Sequence, residues 1–187
     1  MDLRFELDND AGSVAHLVEQ LAEQIAAMQL FPEADCIRIR IALTESLLNA
    51  INHGNLELDS NLRQEDESLY HDLAETRRGR WPYCDRRVQV LASFSRDRLK
   101  FVIRDEGPGF NHRKILDPTD AENLERIGGR GLLLIRSFMD EVRFNDSGNQ
   151  ITLIKYTSRG QALLARLSDP EALAPSRERL LFDAEDL

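Results

Sequence analysis

The sequence predicts an α+β fold: a two-layer sandwich with a mostly antiparallel mixed sheet and helices on one face. Three observations predict it. Two long stretches with apolar residues at helical spacing come early in the chain. Alternating apolar and polar runs come later, in pairs separated by short polar turns, as in antiparallel hairpins. Helices and strands are not interleaved one by one, which argues against a doubly wound parallel sheet.

The elements follow in order. Residues 3–7 alternate apolar and polar and predict a short strand, broken by Asn9, Asp10 and Gly12. From Ser13, the positions Val14, Leu17, Val18, Leu21, Ile25 and Met28 predict an amphipathic helix ending near Leu30, stopped by Phe31-Pro32. A second helix is expected from Glu33 to His53, with Ile37, Ile41, Leu48 and Ile51 on one side, Leu43 and Leu47 widening the stripe, and Gly54 as its C-terminal cap. Residues 56–86 are polar, with Leu62, Leu69 and Leu73 as sparse anchors. They predict a short helix near 64–77 and an irregular stretch around Gly79 and Pro82. Residues 88–95 and 99–104 predict a hairpin, ended sharply by Asp105-Glu106-Gly107-Pro108-Gly109. Residues 111–127 read as a long loop. A buried helix follows Gly128, Gly129 and Gly131, and a second hairpin spans 141–145 and 150–156. The tail carries Leu163, Leu167, Leu173 and Leu180, broken by Pro170 and Pro175.

Composition bounds the function. The 187 residues are long enough for one self-sufficient core. A formal net charge of −9 disfavours sequence-independent nucleic-acid binding. Arg77, Arg78, Arg80, Arg86 and Arg87 form a local basic cluster, for which a solvated loop is the plain reading. Cys36 and Cys84 make neither a disulfide framework nor a zinc set. With no apolar leader and no stretch of transmembrane length, a cytoplasmic protein is expected.

Three segments carry candidate chemistry. Glu45, Asn49 and His53 are spaced four apart, so one helix face presents them together, beside Asn52. The Glu and Asn oxygens suit Mg²⁺, though a solvated polar face explains the spacing equally simply. Asp105, at a strand end before Gly107 and Gly109, suits a ligand lying against bare backbone, and its carboxylate could accept an adenine amino group. A plain turn has the same pattern. Glycines at 128, 129 and 131 opening a helix free backbone N–H groups for an anion, or simply make a loop flexible. Neither a P-loop nor a dinucleotide fingerprint occurs.

Taken together and in this order, the segments resemble the GHKL ATPases, the superfamily of gyrase and the histidine kinases. Glu45–Asn55 resembles their N-box, Asp105–Phe110 their first glycine box, and Gly129–Leu132 their second. The His53-Gly54-Asn55 ending and Phe138–Val142 are similar to the bacterial anti-sigma-factor serine kinases. The resemblance implies a histidine-kinase-like ATPase fold over residues 1–157 with an insertion at 56–86 and an extension at 158–187. It implies ATP and Mg²⁺ as ligands. Asn49 would bind the metal and Glu45 would act as base or orient the attacking group. Asp105, with Gly107, Gly109 and Phe110, would hold adenine, supported by Thr152. Asn52, His53, Gly129, Arg130, Gly131 and Leu132 would line the nucleotide site under a lid formed by 111–127. Arg126 resembles an arginine near the terminal phosphate, one residue out of step.

The implied partners are a small anti-anti-sigma, STAS-like protein and a sigma factor, with a homodimer as a further association and no nucleic acid or membrane. Two readings follow: a serine/threonine kinase acting on such a partner, and an ATP-dependent binding switch without catalysis. A domain that kept the fold and lost the nucleotide is a third. The insertion and the tail depart from the family pattern and weaken the assignment of a sigma-factor partner. His16 reads as a surface residue, not a phospho-acceptor.

Overall fold

A computed structural model describes residues 1–110 and 130–168, with the backbone alone at Gln64 and Arg130. Strand β1 (Asp2–Leu7) leads into helix α1 (Ala11–Met28) and helix α2 (Glu33–Asn49). The helical path continues as a π-helical turn over Ala50–Asn55. Two helices, α3 (Ser60–Glu65) and α4 (Glu67–Arg78), and a 3₁₀ turn at Tyr83–Asp85 fill the inserted stretch. Strands β2 (Val88–Phe94) and β3 (Arg98–Arg104), helix α5 (Arg130–Phe138), strands β4 (Glu141–Phe144) and β5 (Gln150–Tyr156), and helix α6 (Ser158–Ser168) follow.

The five strands run in the order β1-β2-β3-β5-β4, and every neighbouring pair is antiparallel. Alternation sets the faces. Val88, Val90, Ala92 and Phe94 on β2 and Leu99, Phe101 and Ile103 on β3 are buried, while Gln89, Arg98 and Arg104 are exposed. Leu17, Leu21 and Ile25 of α1 and Ile39, Leu43 and Leu47 of α2 close the core over that face. Burying each such side chain contributes about 1.5–3 kcal/mol before chain entropy is counted.

Three expectations are corrected. In α2, Ile37 and Ile41 are exposed, and the core stripe is Ile39, Ala42, Leu43, Ser46 and Leu47. At about 100° per residue, Ile37 and Ile39 fall on nearly opposite sides of the helix, and only one side can face the sheet. Gly54 is no helix cap: it lies inside the π turn, and Leu56 follows that turn. The inserted stretch holds two helices rather than one. Asp59 and Asp66 cap their starts by accepting from the N–H groups of Asn61 and Leu69, both at 2.9 Å.

The arginines of that stretch are not simply solvated. An Arg77 guanidinium N–H donates to the carbonyls of Leu56 and Glu57, each at 2.7 Å, and Arg78 donates to that of Asn9 at 2.9 Å. Arg77 and Arg86 both lie over the Tyr83 ring. At the centre are Asn9 and Asn55, both buried. Asn55 Nδ2 donates to Asn9 Oδ1 at 2.8 Å, and Asn9 Nδ2 donates to the carbonyls of Tyr83 and Arg86. Helix α6 seats against the β2–β3 turn, where a Cβ on Gly160 would fall 2.0 Å from the Asp97 carbonyl oxygen.

Asn9→Ala leaves the buried Asn55 amide without its acceptor and removes one of the donors to the Tyr83 and Arg86 carbonyls. It is expected to cost about 2–3 kcal/mol in urea unfolding, with the loss visible as a lower midpoint at unchanged slope.

Candidate functional site

The end of α2, the end of β3 and the start of α5 meet around one cavity of about 240 Å³. The helical side supplies Ser46, Asn49, Ala50, His53 and Gly54. The sheet supplies Ile103, Asp105 and Ile151, with Gly109 and Phe110 beyond β3, and Leu132 comes from α5. Gln150, Phe144 and Gly148 of the β4–β5 hairpin complete the wall. A π turn has more residues per turn than an α-helix, so it re-aims the side chains that follow it. Here both His53 and Gly54 reach the cavity that Asn49 and Ala50 line.

Gly54 and Asp105 are in contact. A Cβ on Gly54 would lie 2.3 Å from the Asp105 carboxyl carbon, and one on Gly107 would lie 2.2 Å from the Gly54 carbonyl oxygen. Only bare backbone fits at both positions. Across the cavity, Gly109 (φ +75°) and Gly148 (φ +76°) interlock. A Cβ on either would come within 2.0 Å of a carbonyl oxygen, that of Ser147 or of Phe110. Both need the left-handed region as well as the space. The Phe110 and Phe144 rings then meet edge to face at 5.3 Å.

Asp105 is 8% exposed. Its carboxylate accepts from the Gly107 N–H at 2.9 Å, and its backbone is held by Asn149 through the Asn149 carbonyl (3.0 Å) and side-chain amide (3.3 Å). Burial pushes its pKa up to about 6, against the Gly107 and backbone hydrogen bonds and the nearby charges of Arg86 and Arg104, which pull the other way. A buried carboxylate lining a cavity fits an exocyclic amino group, a donor that a carboxylate oxygen can accept from.

At the other end, Glu45 and Asn49 face the first turn of α5. A Cβ on Gly131 would lie 2.6 Å from Glu45 Oε2 and 3.6 Å from Asn49 Nδ2. Backbone at the helix start thus approaches both side chains, an arrangement suited to phosphate oxygens and a hard cation. His53 Nδ1 donates to the Leu58 carbonyl at 2.7 Å, which fixes the orientation of the ring in the cavity wall.

Not every expected residue joins the cavity. Glu45, Asn52, Gly107 and Gly131 do not line it. Thr152 does not either: it alternates with Ile151 and Leu153, whose buried side chains face the core. Arg126, Gly129 and the lid at 111–127 lie outside the described residues, as does the Arg130 side chain. Sequence reasoning missed Ser46, Phe144, Gly148, Gln150 and Ile151. The β4–β5 turn carried one signal, Asp146-Ser147-Gly148-Asn149, which marks a hairpin but not what the hairpin touches.

A family model, the histidine kinase-like ATPase domain, matches residues 7–155. The chain belongs to that family. Curated relatives include a serine-protein kinase RsbW of Staphylococcus epidermidis, 44% identical over 72 residues, covering 35% of this chain and 45% of that protein. The RsbW of Staphylococcus aureus strain JH9 is 30% identical over 129 residues, covering 65% of this chain and 66% of that protein. The chain thus spans less than half of the first relative and about two thirds of the second. Family membership makes this an ATP-binding domain with an α+β fold. Among the described residues, no helix is long and apolar enough to cross a membrane.

Two substitutions test the site. Asp105→Asn keeps an acceptor for the Gly107 N–H and removes the buried charge. The Asp105 pKa is raised in the folded state, so the folded state holds a proton that the unfolded state has released between about pH 4 and pH 6. Stability is therefore lost as pH rises through that window and stays lost above it. The variant should melt higher than the parent at pH 8 without nucleotide, by up to about 3 kcal/mol, and the gap should close below about pH 4. It should no longer be stabilised by ATP. Gly54→Ala drives a methyl into the Asp105 carboxyl group. It should abolish ATP-induced stabilisation, as read by thermal shift.

Proposed function

We propose that this protein is a cytoplasmic serine/threonine kinase of the anti-sigma type, transferring the γ-phosphoryl group of ATP to a hydroxyl of a small STAS-like regulatory protein. The observation that carries the reading is the approach of Gly131 to Glu45 and Asn49, with Asn49 lining the same cavity as Asp105. The similarity to RsbW serine-protein kinases supports the class of acceptor. In this reading residues 158–187 are an extension of the ATP-binding domain, and a sigma factor and a second copy of the chain are the further partners.

Each residue then has a role. Asp105 accepts from the adenine amino group, and Gly54, Gly107 and Gly109 allow the close backbone contacts that hold the Asp105 loop in place. Asn49 would hold Mg²⁺, which when bound supplies neutralisation of phosphate charge. Glu45, one helical turn before Asn49, stands where it can take the proton of an incoming serine hydroxyl. The oxygen of that serine bonds to the γ-phosphorus as the bond to the β-phosphate oxygen breaks, and ADP leaves. Gly131 gives the phosphates access to both side chains. Thr152, Asn52, Arg126 and Arg130 remain assignments by resemblance alone.

A second reading, an ATP-dependent binding switch without transfer, is favoured by one observation. The inserted stretch is tied to the loop that carries Asp105, since Arg86 donates to the Asn55 carbonyl at 2.7 Å and Asn55 Oδ1 accepts from the Glu106 N–H at 2.8 Å. Glu45→Gln separates the readings. Under the kinase reading it lowers phosphoryl transfer to a STAS-like protein by about 10²-fold or more, while the Kd for ATP stays within a few-fold. Labelled ATP and mass spectrometry of the partner measure it. Undiminished transfer by the variant, or none by the parent across a panel of such partners, removes the kinase reading.

A further inference from the structure

The inserted stretch reaches the base pocket through one side chain. The Arg86 guanidinium donates to the Asn55 carbonyl at 2.7 Å and pairs with the Glu57 carboxylate at 2.7 Å. The fully buried Asn55 passes the connection on: its Oδ1 accepts from the Glu106 N–H at 2.8 Å, next to Asp105 in the chain. The Arg87 N–H holds the Glu106 side chain from the other side. Glu57 keeps φ at +52°, a left-handed conformation costly for a non-glycine residue. Two arginines of the insertion, Arg77 on its carbonyl and Arg86 on its carboxylate, hold it there.

We infer that Arg86 is a positioning residue for Asp105, joining the inserted segment to the base-contacting loop through Asn55. The inference rests on the reading of Asp105 as the adenine acceptor. It goes beyond that reading by giving the insertion a part in nucleotide affinity. Several other ionisable groups surround Asp105. They are His53 on the π turn, which lines the same cavity, and Arg104 and Glu106 on its own segment. The cations Arg86 and Arg104 both favour the charged carboxylate. Glu57 tempers Arg86, since a paired guanidinium projects less field than a free one. Whatever displaces the insertion would move Arg86 and weaken ATP binding.

The design of the test uses this sign. Arg86→Gln and Glu57→Gln break the same ion pair, so a merely structural role would give both the same effect. A positioning charge gives them opposite effects. In the full-length, nucleotide-free protein, the Asp105 carboxyl ¹³C resonance, assigned by its absence in Asp105→Asn, reports the titration directly. Arg86→Gln should move the midpoint up by roughly half a pH unit and Glu57→Gln should move it down. Arg86→Lys should stay near the parent and covers the case in which the glutamine variant does not fold. The Glu57→Gln shift should vanish in the Arg86→Gln background. Midpoints that move together, fail to move, or show an undiminished Glu57→Gln shift without Arg86 overturn the inference. Measured alongside, the Kd for ATP between pH 5 and 8 should follow the same order. Retention of ATP affinity by Asp105→Asn at every pH would instead remove the adenine assignment, leaving the titration result to stand or fall by itself.

Discussion

The structure turns on a contact made by an absent side chain. Gly54 has no Cβ, so the carboxyl group of Asp105 occupies the space where one would be, and Gly107 in turn stands against the Gly54 carbonyl. This contact sets how closely the end of the α2 path approaches the end of β3. That spacing places Asn49 and His53 on the same cavity as Asp105. A helix packed on a sheet ordinarily stands about 10 Å off, separated by its side chains. Here the separation falls to backbone contact at one point, and the cavity opens beside that point.

Close approach of two backbones creates polar groups that water cannot reach, and the chain answers with a buried amide pair. Asn55 serves Glu106 and Asn9 with its side chain and takes Arg86 on its carbonyl. Asn9 serves the carbonyls of Tyr83 and Arg86. Such networks add little net stability when complete and cost a great deal when one member is lost. Their value is specificity of position, and this one specifies the junction of β1–α1, the π turn, the insertion and the Asp105 loop.

Asp105 shows how stability yields to function in the same place. Its burial disfavours the charged form on which the proposed adenine contact depends, so a carboxylate at this place costs stability near neutral pH. Under the proposed adenine contact, a ligand amino group would offset that cost and link binding to folding through this residue, with the neighbouring cations setting how much remains.

The sequence by itself determined most of the elements and marked the motif segments, because helical and strand periodicity and glycine-bounded polar clusters are local properties; it did not show the π turn, the second inserted helix or α6. Asp105, Gly107 and Gly109 were legible for that reason, as were Glu45 and Asn49 one turn apart. Tertiary structure alone decided which face of α2 is buried. Ile37 and Ile39 are equally apolar, and only the position of the sheet chooses Ile39. It also decided the role of Gly54, whose composition cue for a helix cap is the same as its cue for close approach. The basic cluster at 77–87 was the least legible part. An arginine that will float in water and one that will fix a buried carbonyl have identical neighbours in the chain, and differ only in what a distant segment brings against them.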